Sequence, residues 1–180
     1  MQRITIERLG SGVLARLFGL RPPAGVVRLR VWFEKEEDVP ATVSEILQAL
    51  SRAGTVSLEF WDASKSVRET LGALSLTPSR PGGTAHLTLL DIPVSDLGPI
   101  LDRLSFASFG GWIGIESDTL SKILKLEKDR DRMRAMPDGG LMIVFSLYDR
   151  NIELVAKGLG EDVLKDKIQT VARRTGAEIG

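Results

Sequence analysis

The sequence predicts an α+β fold, and two observations support that prediction. Segments that alternate apolar and polar residues recur between segments whose apolar residues have helical spacing. The strand-like segments alternate instead of running uniformly apolar, which is typical of a sheet with one face on a core and the other partly open. We therefore predict a ferredoxin-like sandwich, with a mixed sheet and helices mainly on one face. An α/β three-layer arrangement is the alternative.

Two β-α-β units form the predicted centre of this fold. The first covers residues 27–61 and the second covers residues 84–116. In each unit a helix that starts near a proline, Pro40 or Pro93, is flanked by two alternating segments. Both helices contain an Ile-Leu pair followed by Leu-Ser. The similarity indicates either an internal duplication or the common use of the same residues at helix starts.

Further elements are predicted at both ends, over residues 1–26 and 117–180. The N-terminal addition is a short strand followed by an amphipathic helix over residues 12–20. The C-terminal addition is a charged helix, a hairpin that turns at residues 149–151 and a final helix over 161–175. A chain of 180 residues is long enough for one domain, and we predict a single domain.

Composition excludes several classes of function. The chain has no cysteine, so disulfides and thiolate chemistry are excluded, and its one histidine excludes a multi-histidine metal site in a single chain. The 24 basic and 24 acidic residues balance, which argues against a partner held mainly through phosphates. Residues 1–33 are an exception, with six arginines and one glutamate. No apolar run approaches a membrane span of roughly 20 residues, and the expected location is the cytoplasm.

One phase of the strand alternation collects the rare, large side chains with polar tips. Aliphatic residues take the other phase, which would face the core. The candidate binding face consists of Arg28, Arg30, Trp32, Glu59, Trp61, His86, Trp112, Glu116 and Tyr148. Tryptophan, tyrosine and arginine dominate the energetics of protein interfaces, so this face predicts docking of a protein partner or of a second copy of the chain.

Two other interpretations of this face remain open. Aromatic side chains on an open sheet can stack nucleobases, so weak binding of single-stranded nucleic acid is a second alternative function. A covering element would instead make the same residues a second core layer, because large exposed apolar patches are rare on monomers. The helix over residues 12–20 is the obvious candidate for such a cover.

A glycine-rich turn provides the first alternative function, a small nucleotide- or metabolite-binding protein. Gly10 and Gly12 belong to a G-x-G-x-x-A pattern between a strand and a helix, and Glu34 lies about twenty residues further on. Glycines let a backbone approach a pyrophosphate, and the helix N-terminus favours its charge. The charged preceding strand, the short following helix and the lack of hydride-transfer residues count against this interpretation.

Enzymatic chemistry has weaker support, and we expect a non-enzymatic binding or regulatory module. His86 could be a general base oriented by Glu116 or Asp91, but no nucleophile accompanies it. Capping explains Asp118 and similar carboxylates at helix starts. The charged run at residues 127–134 is interpreted as a solvated helix end or an interaction arm. No catalytic residue, metal or cofactor is predicted.

Overall fold

The computed structural model describes residues 3–10, 21–34, 39–51, 54–80, 85–104, 107–146, 151–176 and 178–179, without the side chains of 39–41, 146 and 178–179. The strands are β1 (Arg3–Arg8), β2 (Val26–Phe33), β3 (Thr55–Phe60), β4 (Leu87–Pro93), β5 (Phe109–Ile113), β6 (Leu141–Ser146), β7 (Asn151–Lys157) and β8 (Glu178–Ile179). The helices are α1 (Val39–Leu50), α2 (Lys65–Ala73), α3 (Leu97–Arg103), α4 (Ser117–Ile123), α5 (Asp129–Ala135) and α6 (Glu161–Arg174). Gly12, Tyr148 and the predicted helix over 12–20 lie outside the described residues.

All eight strands belong to one sheet, in the order β4-β3-β5-β6-β7-β2-β1-β8. The first seven pair antiparallel with their neighbours, and the short β8 pairs parallel with β1. A largely antiparallel sheet with helices packed on it confirms the predicted α+β class. No helix in the described ranges is long and apolar enough to cross a membrane.

The strand order departs from the predicted ferredoxin-like interleaving in one of the two β-α-β units. In that fold the two strands of each unit flank one strand of the other unit. The second unit does this, because β3 lies between β4 and β5. The first does not, because β5, β6 and β7 separate β2 from β3. The reason is that β2 takes β1 and β7 as its neighbours, so the β6–β7 pair is inserted where direct contact between the units was expected.

The main core lies between the first face of the sheet and helices α1, α2, α3 and α6. Apolar residues at helical spacing put one stripe of α1 on the sheet, with Val43, Ile46 and Leu47 fully or almost fully buried. Gly111 in β5 makes this contact possible, because a Cβ at that position would lie 3.0 Å from Leu47 Cδ2. The apolar stripe predicted for this helix therefore faces the main core, as expected.

A smaller core lies on the second face of the sheet, under α4 and α5. Trp112 from β5 and Val155 from β7 pack there with Leu120, Ile123 and Met133. The single helix predicted after Asp118 is two helices, and both contribute apolar side chains to this layer. Among the helices in the described ranges, four thus cover one face of the sheet and two cover part of the other.

Candidate functional site

The predicted binding face is partly a surface and partly a second core layer. Trp112 is 2% exposed beneath α4 and α5, Trp61 is half-buried, and Trp32 is 38% exposed. The three tryptophans lie on the second face of the sheet, as the alternation predicts, but they have different surroundings. The cover over Trp112 comes from the C-terminal addition and not from a described part of the N-terminal one.

Three predicted members of this face lie just outside the strands to which the sequence assigned them. Trp61 follows the last residue of β3, His86 precedes the first residue of β4, and Glu116 precedes α4. Strand boundaries are the least certain part of an alternation pattern, because the pattern continues into the flanking residues. Trp61 and His86 still contact second-face residues, whereas Glu116 is exposed beside a separate small cavity.

Glu59 is the centre of a buried polar cluster, and it is fully buried in the sheet. Its carboxylate is 2.6 Å from His86 Nδ1, and it accepts hydrogen bonds from Trp112 Nε1 at 3.2 Å and from Arg132 Nη1 at 3.1 Å. An ionised carboxylate only accepts hydrogen bonds, and with Glu59 in that form Nδ1–H of His86 is the donor in this contact. A buried carboxylate needs such partners, since desolvation of an unpaired charge is very costly.

Arg132 connects this carboxylate to the two covering helices. Its Nη1 donates to Glu59, its Nε donates to the backbone oxygen of Leu126 at 2.7 Å, and its Nη2 donates to that of Leu124 at 3.2 Å. Leu124 and Leu126 lie at the end of α4 and in the link to α5. One side chain therefore holds the α4–α5 pair against the sheet.

This cluster ties the two covering helices to the sheet. His86 contacts Glu59, whereas Glu116 and Asp91, its predicted partners, line a separate cavity whose described lining does not include His86. Within the described ranges, no group of three or more histidine, aspartate or glutamate residues could hold a metal ion. Sequence reasoning missed Arg132 because it lies in a charged run interpreted as solvated. The available signal was Met133 within that run and Met136 two residues after it, both of which are buried.

The arginines of β2 form a second, more exposed cluster near the other edge of the face. Arg28 Nε donates to Glu153 Oε1 at 2.6 Å across the β2–β7 pair. Arg30 forms a 3.5 Å ion pair with Glu7, and its guanidinium lies 5.5 Å from the centre of the Trp32 ring. The alternation thus brings Arg28, Arg30 and Trp32 to one side, as predicted.

A large basic cavity opens beside this cluster, with a volume of about 920 Å³. The end of β1, the segment before β2, α5 and the end of β7 contribute its walls. We call it the basic cavity. Its described cationic lining residues are Arg8, Arg21, Arg28, Arg130, Arg134 and Lys157. No aspartate or glutamate is among the described lining residues.

Several contacts hold these cations in place. Lys157 Nζ donates to the backbone oxygen of Arg134 at 2.6 Å and so connects the end of α5 to β7. Arg8 forms a 2.9 Å ion pair with Glu161 outside the cavity. A hydrogen bond from Lys165 and the nearby charge of Arg8 hold the pKa of Glu161 below its ordinary value, although partial burial acts in the opposite direction.

Gly10 lies in the wall of the basic cavity, but Glu34 does not lie near it. Gly10 has a φ of 77° and follows the end of β1, whereas Glu34 follows the end of β2. Because β1 and β2 are antiparallel neighbours, the end of β1 and the end of β2 lie at opposite ends of the strand pair. Six residues of strand separate them by about 20 Å. The dinucleotide pattern requires both at one edge, so the structure does not bring its proposed parts together.

Comparison of the chain with protein-family models, with curated proteins and with solved structures returned no match.

Proposed function

We propose that this protein is a binding module that holds a small, multiply charged anion in the basic cavity. The observation that carries the proposal is the wall of six cationic side chains with no acidic residue among its described members. A volume of about 920 Å³ falls in the range of pockets for small molecules. The proposal keeps the binding role expected from the sequence and moves it from the aromatic side chains to their basic neighbours.

The six cationic side chains of the basic cavity lie close enough to repel one another. Like charges in a concave site with low-dielectric walls repel one another and concentrate anions from solution. Arg8, Arg28 and Arg134 each have a carboxylate partner outside the described lining. Arg21 and Arg130 form no ion pair with a residue that the structure describes. An anion in the cavity would neutralise the remaining positive charge.

The type of cation favours phosphate-like groups. Five of the six are arginines, whose planar guanidinium groups donate paired hydrogen bonds to phosphate or carboxylate oxygens. Arg130 and Arg134 lie four residues apart on α5 and thus share one side of the helix. Arg28 is already fixed by Glu153, so little side-chain entropy remains to be lost when it contacts a ligand.

The test is binding of inorganic tripolyphosphate, measured by calorimetry and by the rise in melting temperature that a native-state ligand produces. Arg130→Ser combined with Arg134→Ser should weaken binding at least about tenfold, since each lost charge-assisted hydrogen bond is worth roughly 1.5–3 kcal/mol. The matched control removes two exposed arginines elsewhere, with Arg68→Ser and Arg103→Ser, and should bind like wild type. No binding, or equal loss in both double variants, would overturn the proposal.

A second candidate function is docking of a protein partner, or of a second copy of the chain, at Trp32. This side chain is one of two large hydrophobic side chains exposed in the described ranges, and Arg30 lies over its ring. Tryptophan and arginine together are typical of interface hot spots. Light scattering over a range of protein concentrations should show association that Trp32→Ser abolishes. The control is Val163→Ser, at the other exposed position, and association lost only in that variant would place the interface on α6 instead.

A further inference from the structure

A smaller cavity of about 380 Å³ shares Arg28 with the basic cavity. It lies on the second face of the sheet, between α5 and strands β6 and β7. Its lining combines apolar side chains with carboxylates, including Trp61, Met133, Met142, Asp129 and Glu153. We call it the tryptophan cavity. Because Arg28 lines both, the two cavities lie next to each other on the same side of the sheet.

Trp61 packs against Gly110, which has no side chain to keep the ring away from the sheet. A Cβ at Gly110 would lie 3.3 Å from Trp61 Cζ2, which is closer than ordinary van der Waals contact, and 3.4 Å from Trp112 Nε1. The glycine therefore lets the half-buried Trp61 ring approach the backbone of β5. An aromatic ring fixed in this way presents a flat surface for stacking without further loss of conformational entropy.

We propose that the ligand of the basic cavity is the phosphate ester of a planar heterocycle, of the nucleotide type, with its ring in the tryptophan cavity. The inference rests on the proposed function, which places the phosphates against the arginines. The ring would contact Trp61 and the two methionines, and its N–H groups could donate to Asp129 or Glu153. An acyl chain would desolvate the carboxylate of Asp129, which forms no ion pair with a residue that the structure describes, so the mixed lining favours a heterocycle over a lipid tail.

Stacking on an aromatic ring does not discriminate between bases, so the ligand class includes nucleotides with any base. Stacking on one aromatic side chain is worth about 1–3 kcal/mol per base, which corresponds to roughly a five- to hundredfold gain in affinity. ATP should therefore bind at least about fivefold more tightly than tripolyphosphate, which carries three phosphates without the ribose and the ring.

The experiment compares ATP, tripolyphosphate and adenosine by calorimetry, without divalent cations, on wild type and on two tryptophan variants. Trp61→Leu should remove the advantage of ATP and leave tripolyphosphate unchanged, whereas Trp32→Leu should leave both unchanged. Adenosine alone should bind weakly, since it lacks the charge that the arginines recognise. The wild-type comparison needs no variant, so the inference stays testable even if Trp61→Leu does not fold.

The outcomes separate this inference from the proposal on which it rests. Equal affinities of wild type for ATP and tripolyphosphate would overturn the heterocycle but leave the anion site intact. Binding of neither would overturn both. A single-stranded oligonucleotide that binds with a steep salt dependence, when ATP does not bind, would overturn the inference in favour of a polymeric ligand.

Discussion

The ion pair between Glu59 and Arg132 is the contact whose loss we expect to destabilise the fold most clearly. Glu59→Gln keeps the size of the side chain but removes its charge. In the wild type the Glu59 carboxylate contacts three side chains, those of His86, Trp112 and Arg132. The amide of the variant would point its N–H₂ group, which is itself a donor, at one or more of them. Arg132, whose side chain is 12% exposed, would be left without its counter-charge.

The expected magnitude follows from this geometry. Breaking a buried ion pair by removing one partner costs about 3–5 kcal/mol. The remaining amide oxygen still accepts one hydrogen bond, and two backbone oxygens still hold Arg132, so we expect about 3 kcal/mol, at the lower end of that range. For a chain of this size, that loss lowers the melting temperature by roughly 6–12 °C.

The assay is urea denaturation followed by far-UV circular dichroism, because the substitution also changes the surroundings of the Trp112 fluorophore. The control is Glu69→Gln, which breaks the 3.5 Å pair with Lys65 between side chains that are 66% and 87% exposed. Such surface pairs contribute about 0–1 kcal/mol. If Glu59→Gln changes the free energy of unfolding no more than Glu69→Gln does, the ion pair does not hold the covering helices and our reasoning is refuted.

Three further changes test other parts of the structure. Trp112→Ala should cost about 3–5 kcal/mol because the ring is buried, whereas the exposed Trp32→Ala should cost less than about 1.5 kcal/mol, both measured by chemical denaturation. Gly114→Ala should destabilise by about 1–3 kcal/mol, because φ is 69° and a Cβ would lie 3.0 Å from a backbone oxygen, while Gly72→Ala in open space on a helix should stabilise by about 0.5–1 kcal/mol. Glu161→Gln should lower stability at neutral pH, and the difference from wild type should disappear as pH falls below 4.5 through the lower pKa of the folded state.

Each of these expectations has an opposite outcome. Equal costs for the two tryptophan variants would mean that the second face is not covered as described. A Gly114→Ala variant as stable as wild type would mean that the turn after β5 adjusts without strain. A stability difference for Glu161→Gln that persists under strongly acidic conditions would show that its contribution does not come from the ionised carboxylate, because a depressed folded pKa stabilises only above that pKa.

Local patterns predicted the elements better than their arrangement. The helical spacing of Val43, Ile46 and Leu47 and the alternation in β2 and β3 identified which residues face the main core. The strand order was not predictable in the same way. Alternation shows which face a side chain occupies but not which strand lies next to it, so nothing local indicates that β2 pairs with β7.

The candidate site shows the same division. Glu59 and His86 were identified as members of one face, but Arg132, the cation that pairs with Glu59, lies 73 residues from it in the sequence. The basic cavity combines arginines from the basic N-terminal region, which composition revealed, with Arg130, Arg134 and Lys157 from regions of balanced charge. Only the folded sheet brings these two groups together, so the cavity could not have been predicted from charge counts.

The position of β6 and β7 in the middle of the sheet has a consequence for folding. These strands join β3, β4 and β5 on one side to β1 and β2 on the other, and the Arg28–Glu153 contact spans 125 residues of sequence. Closing so long a loop is slow, because its entropy is lost before the contacts are gained. We therefore expect the two flanking groups of strands to form early and to join late. The basic cavity, which needs Arg8 and Lys157 in place, is completed in that last step, so an anion bound there would stabilise only the fully assembled protein and no partly folded form of it.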